Sequence, residues 1–229
     1  MKKRTLIVTG ACETNPPVND DSIMSVLDIS MKSKQSYAKK HNYDLICMRS
    51  FGSDSSGRYK DTDIGFIRVL RVFDFLNQND RVMWIDADAI ITNDSYKIED
   101  FELTEQHIFY ASHDWMANNI YSTGNFIIQK TEKFEAFKNI FFDVSTHFKF
   151  KNEQDTMIAL YRGHTVKSVM KMLHYKFLNS VPESNLWNWP KDRPPIITPW
   201  TKDSFLVHFT GVTNKDRLEC IQKHFKDYI

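Results

Sequence analysis

A chain of 229 residues can bury a substantial core as one large domain without disulfide or metal staples, and 41% hydrophobic with 26% charged residues, seven Gly and seven Pro exclude a disordered, collagen-like or low-complexity protein. Thirty Lys plus Arg against twenty-nine Asp plus Glu leave a net charge of +1 with no long basic run, so no nucleic-acid partner is expected. The three cysteines, Cys12, Cys47 and Cys220, are scattered and fall outside C-x-x-C spacing, which speaks against a disulfide framework or a zinc knuckle and fits a reducing, cytoplasmic setting.

The chain opens with Met1-Lys2-Lys3-Arg4 and the short apolar run Leu6-Ile7-Val8-Thr9-Gly10, which reads as a strand buried on both faces and is far too short for a signal peptide. No later stretch is apolar over the roughly 18 residues a membrane span needs, so a soluble protein is expected. After a loop carrying Pro16-Pro17, Ile23, Leu27, Met31 and Ala38 recur at helical spacing, which predicts a helix from Asp21 to Lys40 with Asp20 or Asp21 as N-cap. Tyr43 to Met48 reads as a second strand, and the polar, Gly-containing segment Ser50 to Thr62 as a surface loop able to move. Phe66, Val69, Leu70, Phe73 and Leu76 share one helical face, the helix ending near Asn77 to Asn79, and the strand Val82-Met83-Trp84-Ile85 follows. Later come a strand at Phe126-Ile127-Ile128, helices near Thr131–Val144 and Glu153–Tyr161, and a strand Phe205-Leu206-Val207-His208. Strands alternating with helices predict an α/β fold with a mostly parallel central sheet and ligands at the carboxyl ends of its strands.

Asp86 and Asp88 stand at i and i+2 where the buried strand Val82–Ile85 runs out. In extended backbone such side chains point the same way, so both carboxylates can face one small volume. Two like charges together call for a cation, and Mg²⁺ or Mn²⁺ takes carboxylate oxygens and also bridges phosphate oxygens of a substrate. The plain alternative is a pair that solvates a turn. In haloacid-dehalogenase-like phosphatases the first Asp of such a motif is the phosphoryl acceptor. Those enzymes usually carry Thr or Val two residues after the second Asp, where this chain has Ile90, and place the motif on the first strand, whereas Asp86 follows two earlier ones.

The stretch Trp84-Ile85-Asp86-Ala87-Asp88-Ala89-Ile90-Ile91-Thr92-Asn93 resembles the aromatic-hydrophobic-Asp-x-Asp segment of glycosyltransferase family 34. Three further segments resemble that family in order: His113-Asp114-Trp115 followed by Ser122-Thr123-Gly124-Asn125-Phe126-Ile127-Ile128, then Asn152-Glu153-Gln154-Asp155, then His208-Phe209-Thr210-Gly211 at a strand end. The membrane anchor and stem typical of eukaryotic members are not in this sequence, and Val212 stands where they usually have Cys, which suggests a minimal soluble relative from a bacterium or virus.

The resemblance implies a GT-A fold, with a nucleotide-sugar-binding half over about residues 1–95 merged with an acceptor-binding half over about 96–229. It implies a metal-dependent, retaining glycosyltransferase that moves a sugar from a UDP-sugar to a glycan or glycoconjugate, with Mn²⁺ or Mg²⁺ as cofactor. Retention would run through a front-side path with the diphosphate as base or through a covalent intermediate. His208 becomes a third metal ligand beside Asp86 and Asp88, against its plain reading as a hydrogen-bonded core histidine. Thr9, Gly10 and Ala11 end the first strand where the fold puts the uridine ring, and Arg68, Ala87, Gly124, Asn125 and Gly211 join the donor site. Lys215 is preferred over Arg217 as the basic contact to the diphosphate. Gln154, Asp155 and Asp114 are the catalytic candidates, although capping alone explains an acid at a helix start. His113, Asp114 and Asn125 are expected to meet sugar hydroxyls, with Trp115 as a stacking platform. Tyr59 and Lys60 flank the loop, and Trp187, Trp189 and Trp200 either line an acceptor groove or belong to the core. The other readings are the phosphatase, with Asp86 as acceptor, and a non-catalytic sugar- or nucleotide-binding domain.

Overall fold

A computed structural model describes residues 3–11, 22–50, 64–114, 120–148, 152–163, 166–187, 189 and 195–229. Cys12, Pro16-Pro17, the segment from residue 51 to Thr62 with Tyr59 and Lys60, and Trp115 lie outside the described residues.

The predicted first strand forms as β1 (Thr5–Gly10), buried along its whole length. Its side chains alternate between two apolar layers. Leu6 and Val8 pack among Ile67, Val72, Phe73 and Leu76, and Ile7 packs on the other side with Tyr37 and Ala38. Helix α1 (Ile23–His41) starts one residue after Ser22, whose Oγ accepts the Met24 N–H. Ser22, not Asp20 or Asp21, is therefore the N-cap, a role worth ~1 kcal/mol. The helix stops at Asn42, which takes the left-handed conformation (φ 57°) and donates its N–H to the last turn.

Strand β2 (Asp44–Met48) follows, then α2 (Ile64–Phe75), β3 (Arg81–Asp86), a short β4 (Ala89–Ile91), β5 (Phe109–His113) and β6 (Tyr121–Gln129). Helices α3 (Phe134–Phe148) and α4 (Glu153–Arg162), strand β7 (Met170–Leu173), the one-turn α5 (Tyr175–Leu178), β8 (Leu206–His208) and α6 (Asn214–His224) complete the order. Six strands form a sheet in the order β2-β1-β3-β6-β5-β7, and β4 pairs with β8 in a separate two-stranded ribbon. Among the described strands of the large sheet all pairings are parallel except those of β6, which runs antiparallel to β3 and β5. The expected mostly parallel α/β sheet is thus present.

Residues of α2, α3 and α4 cover one face of the sheet. There Phe73 lies 5.6, 6.4 and 5.5 Å from the rings of Phe134, Phe137 and Phe141, and each such edge-on pair adds ~0.5–1.5 kcal/mol beyond its buried area. Residues of α1 and α5 cover the other face. A further cluster joins β8 to α6, and Trp187, Trp189 and Trp200 all belong to it: Trp187 and Trp189 stack at 5.5 Å, and Trp200 meets Phe225 at 5.0 Å. Their packing answers the core reading. Among the described residues, no helix is long and apolar enough to cross a membrane.

Three strands are absent from the sequence reading, β4, β5 and β7, and β6 extends well beyond Phe126-Ile127-Ile128. The N-terminal end of β6 is polar (Ser122, Thr123, Asn125) because it lies against the site rather than in the apolar core.

Candidate active site

The register of the sheet collects strand ends in one place. Gly10 pairs with Asp86, so Thr9, Gly10 and Ala11 end beside the last residue of β3. Asp88 sits in the turn that leads into β4, and the β4–β8 pairing puts Ala89 opposite His208, which delivers the imidazole next to Asp88. His208 Nε2 lies 3.3 Å from Asp88 Oδ1 and 3.8 Å from Asp86 Oδ2, and one ligand atom from each of the three residues falls within 4.8 Å of the others. On its far side His208 Nδ1 is 2.8 Å from Asn179 Oδ1, whose amide nitrogen donates to His113 O at 2.7 Å. An Nδ1–H donated to that oxygen assigns the tautomer and leaves the Nε2 lone pair facing the carboxylates.

Gly124 on β6 closes the cradle. A Cβ at this position would come within 2.4 Å of His208 Cε1 and 2.9 Å of Asp86 Oδ2, so a side chain would occupy the space between the ligand atoms. Two carboxylates, a neutral imidazole nitrogen and a glycine that keeps the space open fit a divalent cation such as Mn²⁺ or Mg²⁺.

Cationic side chains surround the pair. Asp86 Oδ1 accepts from Arg68 at 2.6 Å and from Trp84 Nε1 at 2.6 Å, and its backbone N–H donates to Asn125 Oδ1 at 3.0 Å. Asp88 Oδ2 pairs with Arg217 at 2.9 Å. Burial opposes the charge on Asp88, but its polar neighbours, Arg217 foremost, hold the carboxyl well below the usual carboxylate range. Arg68 also pairs with Glu153. Beneath the motif lies Lys34 of α1, fully buried; burial pulls its ammonium down to about 7, against the opposing influence of Asp88 and Asp86.

The other side of the site comes from α4 and the start of β6. Glu153 is buried and accepts from Arg68 and from Thr123 Oγ1, the latter at 2.9 Å. Gln154 Oε1 accepts the Thr123 N–H at 3.3 Å. Asp155 is exposed; its N–H donates to Asn152 Oδ1 at 2.8 Å and its carboxylate accepts from Asn152 Nδ2 at 3.0 Å, so it serves the start of α4. Asp114 is buried just past β5, next to His113.

Of the remaining expected residues, Ala87 is buried in the turn, Asn125 braces Asp86, and Gly211 has φ 81°, a left-handed conformation that lets the chain turn from β8 into α6. Lys215 is exposed on α6. Arg217, two residues on, faces the site, fixed by Nε donating to Phe209 O at 2.8 Å.

Glu153, Asn179, Ser30 and Lys34 were missed by sequence reasoning. Lys34 did carry a signal, a lysine three residues after Met31 and four before Ala38 on the apolar stripe of α1. Asn179 carried none, since it follows a one-turn helix that periodicity cannot detect.

Residues 1–108 match the galactosyl transferase GMA12/MNN10 family. No curated protein is detectably similar in sequence. Similar solved structures include a glycosyltransferase involved in glycosylation of the major capsid of PBCV-1 (15% identity, TM-score 0.62, covering 96% of this chain and 98% of that one). The galactosyltransferase LgtC, solved with donor and acceptor sugar analogues, is similar at 13% identity and TM-score 0.56, covering 98% and 100% of the two chains. Mouse xyloside xylosyltransferase 1 follows at 9% identity and TM-score 0.55, covering 91% and 97%. The chain has the GT-A glycosyltransferase fold and resembles family 34 over residues 1–108, which favours a glycosyltransferase over the phosphatase and over a non-catalytic binding domain.

Proposed function

We propose that this glycosyltransferase is metal-dependent and retaining, and that it moves a sugar from a UDP-sugar to a hydroxyl of a glycan or glycoconjugate. The observation that carries the reading is the convergence of Asp86, Asp88 and His208 on one volume opposite Gly124. Those three side chains would hold Mn²⁺ or Mg²⁺, which when bound neutralises charge developing on the diphosphate leaving group.

The chain's own residues supply the rest. Thr9, Gly10 and Ala11 would receive the base, in the half of the chain over about residues 1–95. Arg217, with Lys215 nearby, brings positive charge to the diphosphate side, and Arg68 and Asn125 hold Asp86 in place. Glu153, Gln154 and Asp114, with His113, would bind and orient the donor sugar. Retention by the front-side path fits best, because the carboxylate of Glu153 is engaged by Arg68 and Thr123 and the amide of Gln154 is not a strong nucleophile. In that path the acceptor oxygen bonds to the anomeric carbon as the bond to the diphosphate breaks. The diphosphate oxygen keeps that electron pair and takes the hydroxyl proton. A cytosolic setting belongs to the same reading, supported by free Cys47 and Cys220.

Thermal shift with UDP and GDP, each with and without Mn²⁺, tests the core of it. Stabilisation by UDP that requires Mn²⁺ is expected. Indifference to every nucleoside diphosphate, metal present or absent, would overturn the reading.

A further inference from the structure

We propose that Lys34 and Ser30 on α1 are positioning residues for the metal cradle: together they hold the peptide planes of the Asp86-Ala87-Asp88 turn from behind, so that both carboxylates stay aimed at one ion. This rests on the assignment of Asp86, Asp88 and His208 as metal ligands.

A lysine with no exposed surface is rare unless it is paired, and its presence on an apolar helix face is costly. Lys34 Nζ donates to Asp86 O at 2.8 Å and to Ser30 Oγ at 2.9 Å, and Ser30 Oγ donates in turn to Ala87 O at 2.6 Å. Asp88 O accepts the Phe209 N–H at 2.8 Å, so every carbonyl of the motif has a donor from a different part of the fold than the motif itself. The Asp86 N–H is taken by Asn125 Oδ1. Rotating either peptide plane of the turn would swing Asp88 relative to Asp86. Lys34 and Ser30 block that rotation because it would strand buried carbonyls.

Charge and position make opposite predictions for Lys34. Removing a positive charge beside a cation site would by Coulomb's law alone tighten ion binding. If Lys34 acts by fixing the turn, its removal must weaken binding instead.

The test uses Lys34→Met, which keeps length and apolar packing, and Ser30→Ala, which removes one hydroxyl. Bound Mn²⁺ is read directly by electron paramagnetic resonance of the free ion, in the presence of UDP, with a thermal melt for each protein. Lys34→Met is expected to raise the Mn²⁺ midpoint about 10-fold, as supporting residues around metal sites commonly do. Ser30→Ala should raise it less, and the double variant no more than Lys34→Met alone, because both act through one relay. An unchanged or lower Mn²⁺ midpoint in Lys34→Met, or an unchanged one in Ser30→Ala if Lys34→Met does not fold, overturns the proposal. Asp88→Asn separates the two levels: if it binds Mn²⁺ like the wild type, the metal assignment itself has failed.

Discussion

The two sides of the active site are built differently. On the proposed metal side each group comes from a strand or from the turn between two strands: Asp86 ends β3, Asp88 leads into β4, His208 ends β8 and Gly124 lies within β6. Backbone pairing on those strands sets where each side chain points, and Asp88, His208 and Asn125 are buried. On the proposed sugar side Gln154 and Asp155 stand in the first turn of α4, where direction is left to side-chain hydrogen bonds, and their exposure rises from partial at Gln154 to open at Asp155. Rigid elements hold a geometry that the chemistry cannot vary, and helix starts and loops leave room for substrate to differ.

The sharpest way to break this contrast is to fill the rigid side. Gly124→Ala puts a methyl within 2.4 Å of His208 Cε1. It should lower UDP release at saturating Mn²⁺ by about 100-fold or more, since strand pairing on both sides prevents retreat. Turnover near the wild type would mean that the cradle yields and is not rigid. His208→Ala comes next. Because Asp86 and Asp88 remain, its Mn²⁺ midpoint should rise about 10- to 100-fold and excess metal should restore part of the rate. A native midpoint with a collapsed maximal rate would instead make His208 a proton carrier.

Changes on the sugar side should leave metal affinity alone. Glu153→Gln keeps the shape but removes the charge opposite Arg68, and should lower the maximal rate about 10-fold at an unaltered Mn²⁺ midpoint. A raised midpoint would show that the two sides are coupled through Arg68, which touches both Asp86 and Glu153. The smallest effect is expected for Asp155→Asn, about twofold or less in turnover, because its exposed carboxylate is engaged by Asn152, the N-cap of its own helix.

The same contrast decides what could be read from sequence. An apolar run that ends in Asp-x-Asp announces the strand and its end, so β3 and the closeness of Asp86 to Asp88 were legible from residues 82 to 88, although Asp88 is brought there by the turn and not by an extended strand. That His208 meets them depends on the non-local pairing of β4 with β8, which no local pattern encodes; the resemblance to family 34 supplied it. At the start of α4 the pattern offered three adjacent polar residues and no means of ranking them, and the first turn of the helix buried Glu153 and exposed Asp155. Likewise Lys215 and Arg217 are two residues apart on α6, about 200° around the helix, so only one of them can face Asp88. Strands β4, β5 and β7 escaped because at three, five and four residues they are too short for a period to stand out.

The β4–β8 ribbon also sets an order in time. Its partners are separated by more than half of the chain, Ala89 pairing with His208, whereas β1, β2 and β3 are all synthesised once residue 86 has been added. During synthesis β1, β2 and β3 can therefore pair while His208 is still unmade, and the cluster is completed by the late arrival of Leu206–His208. A nascent chain stalled before residue 206 would hold two carboxylates with no imidazole to join them. On the proposed reading, the capacity to hold an ion would thus be among the last properties the polypeptide acquires, a built-in delay between having a fold and having an activity.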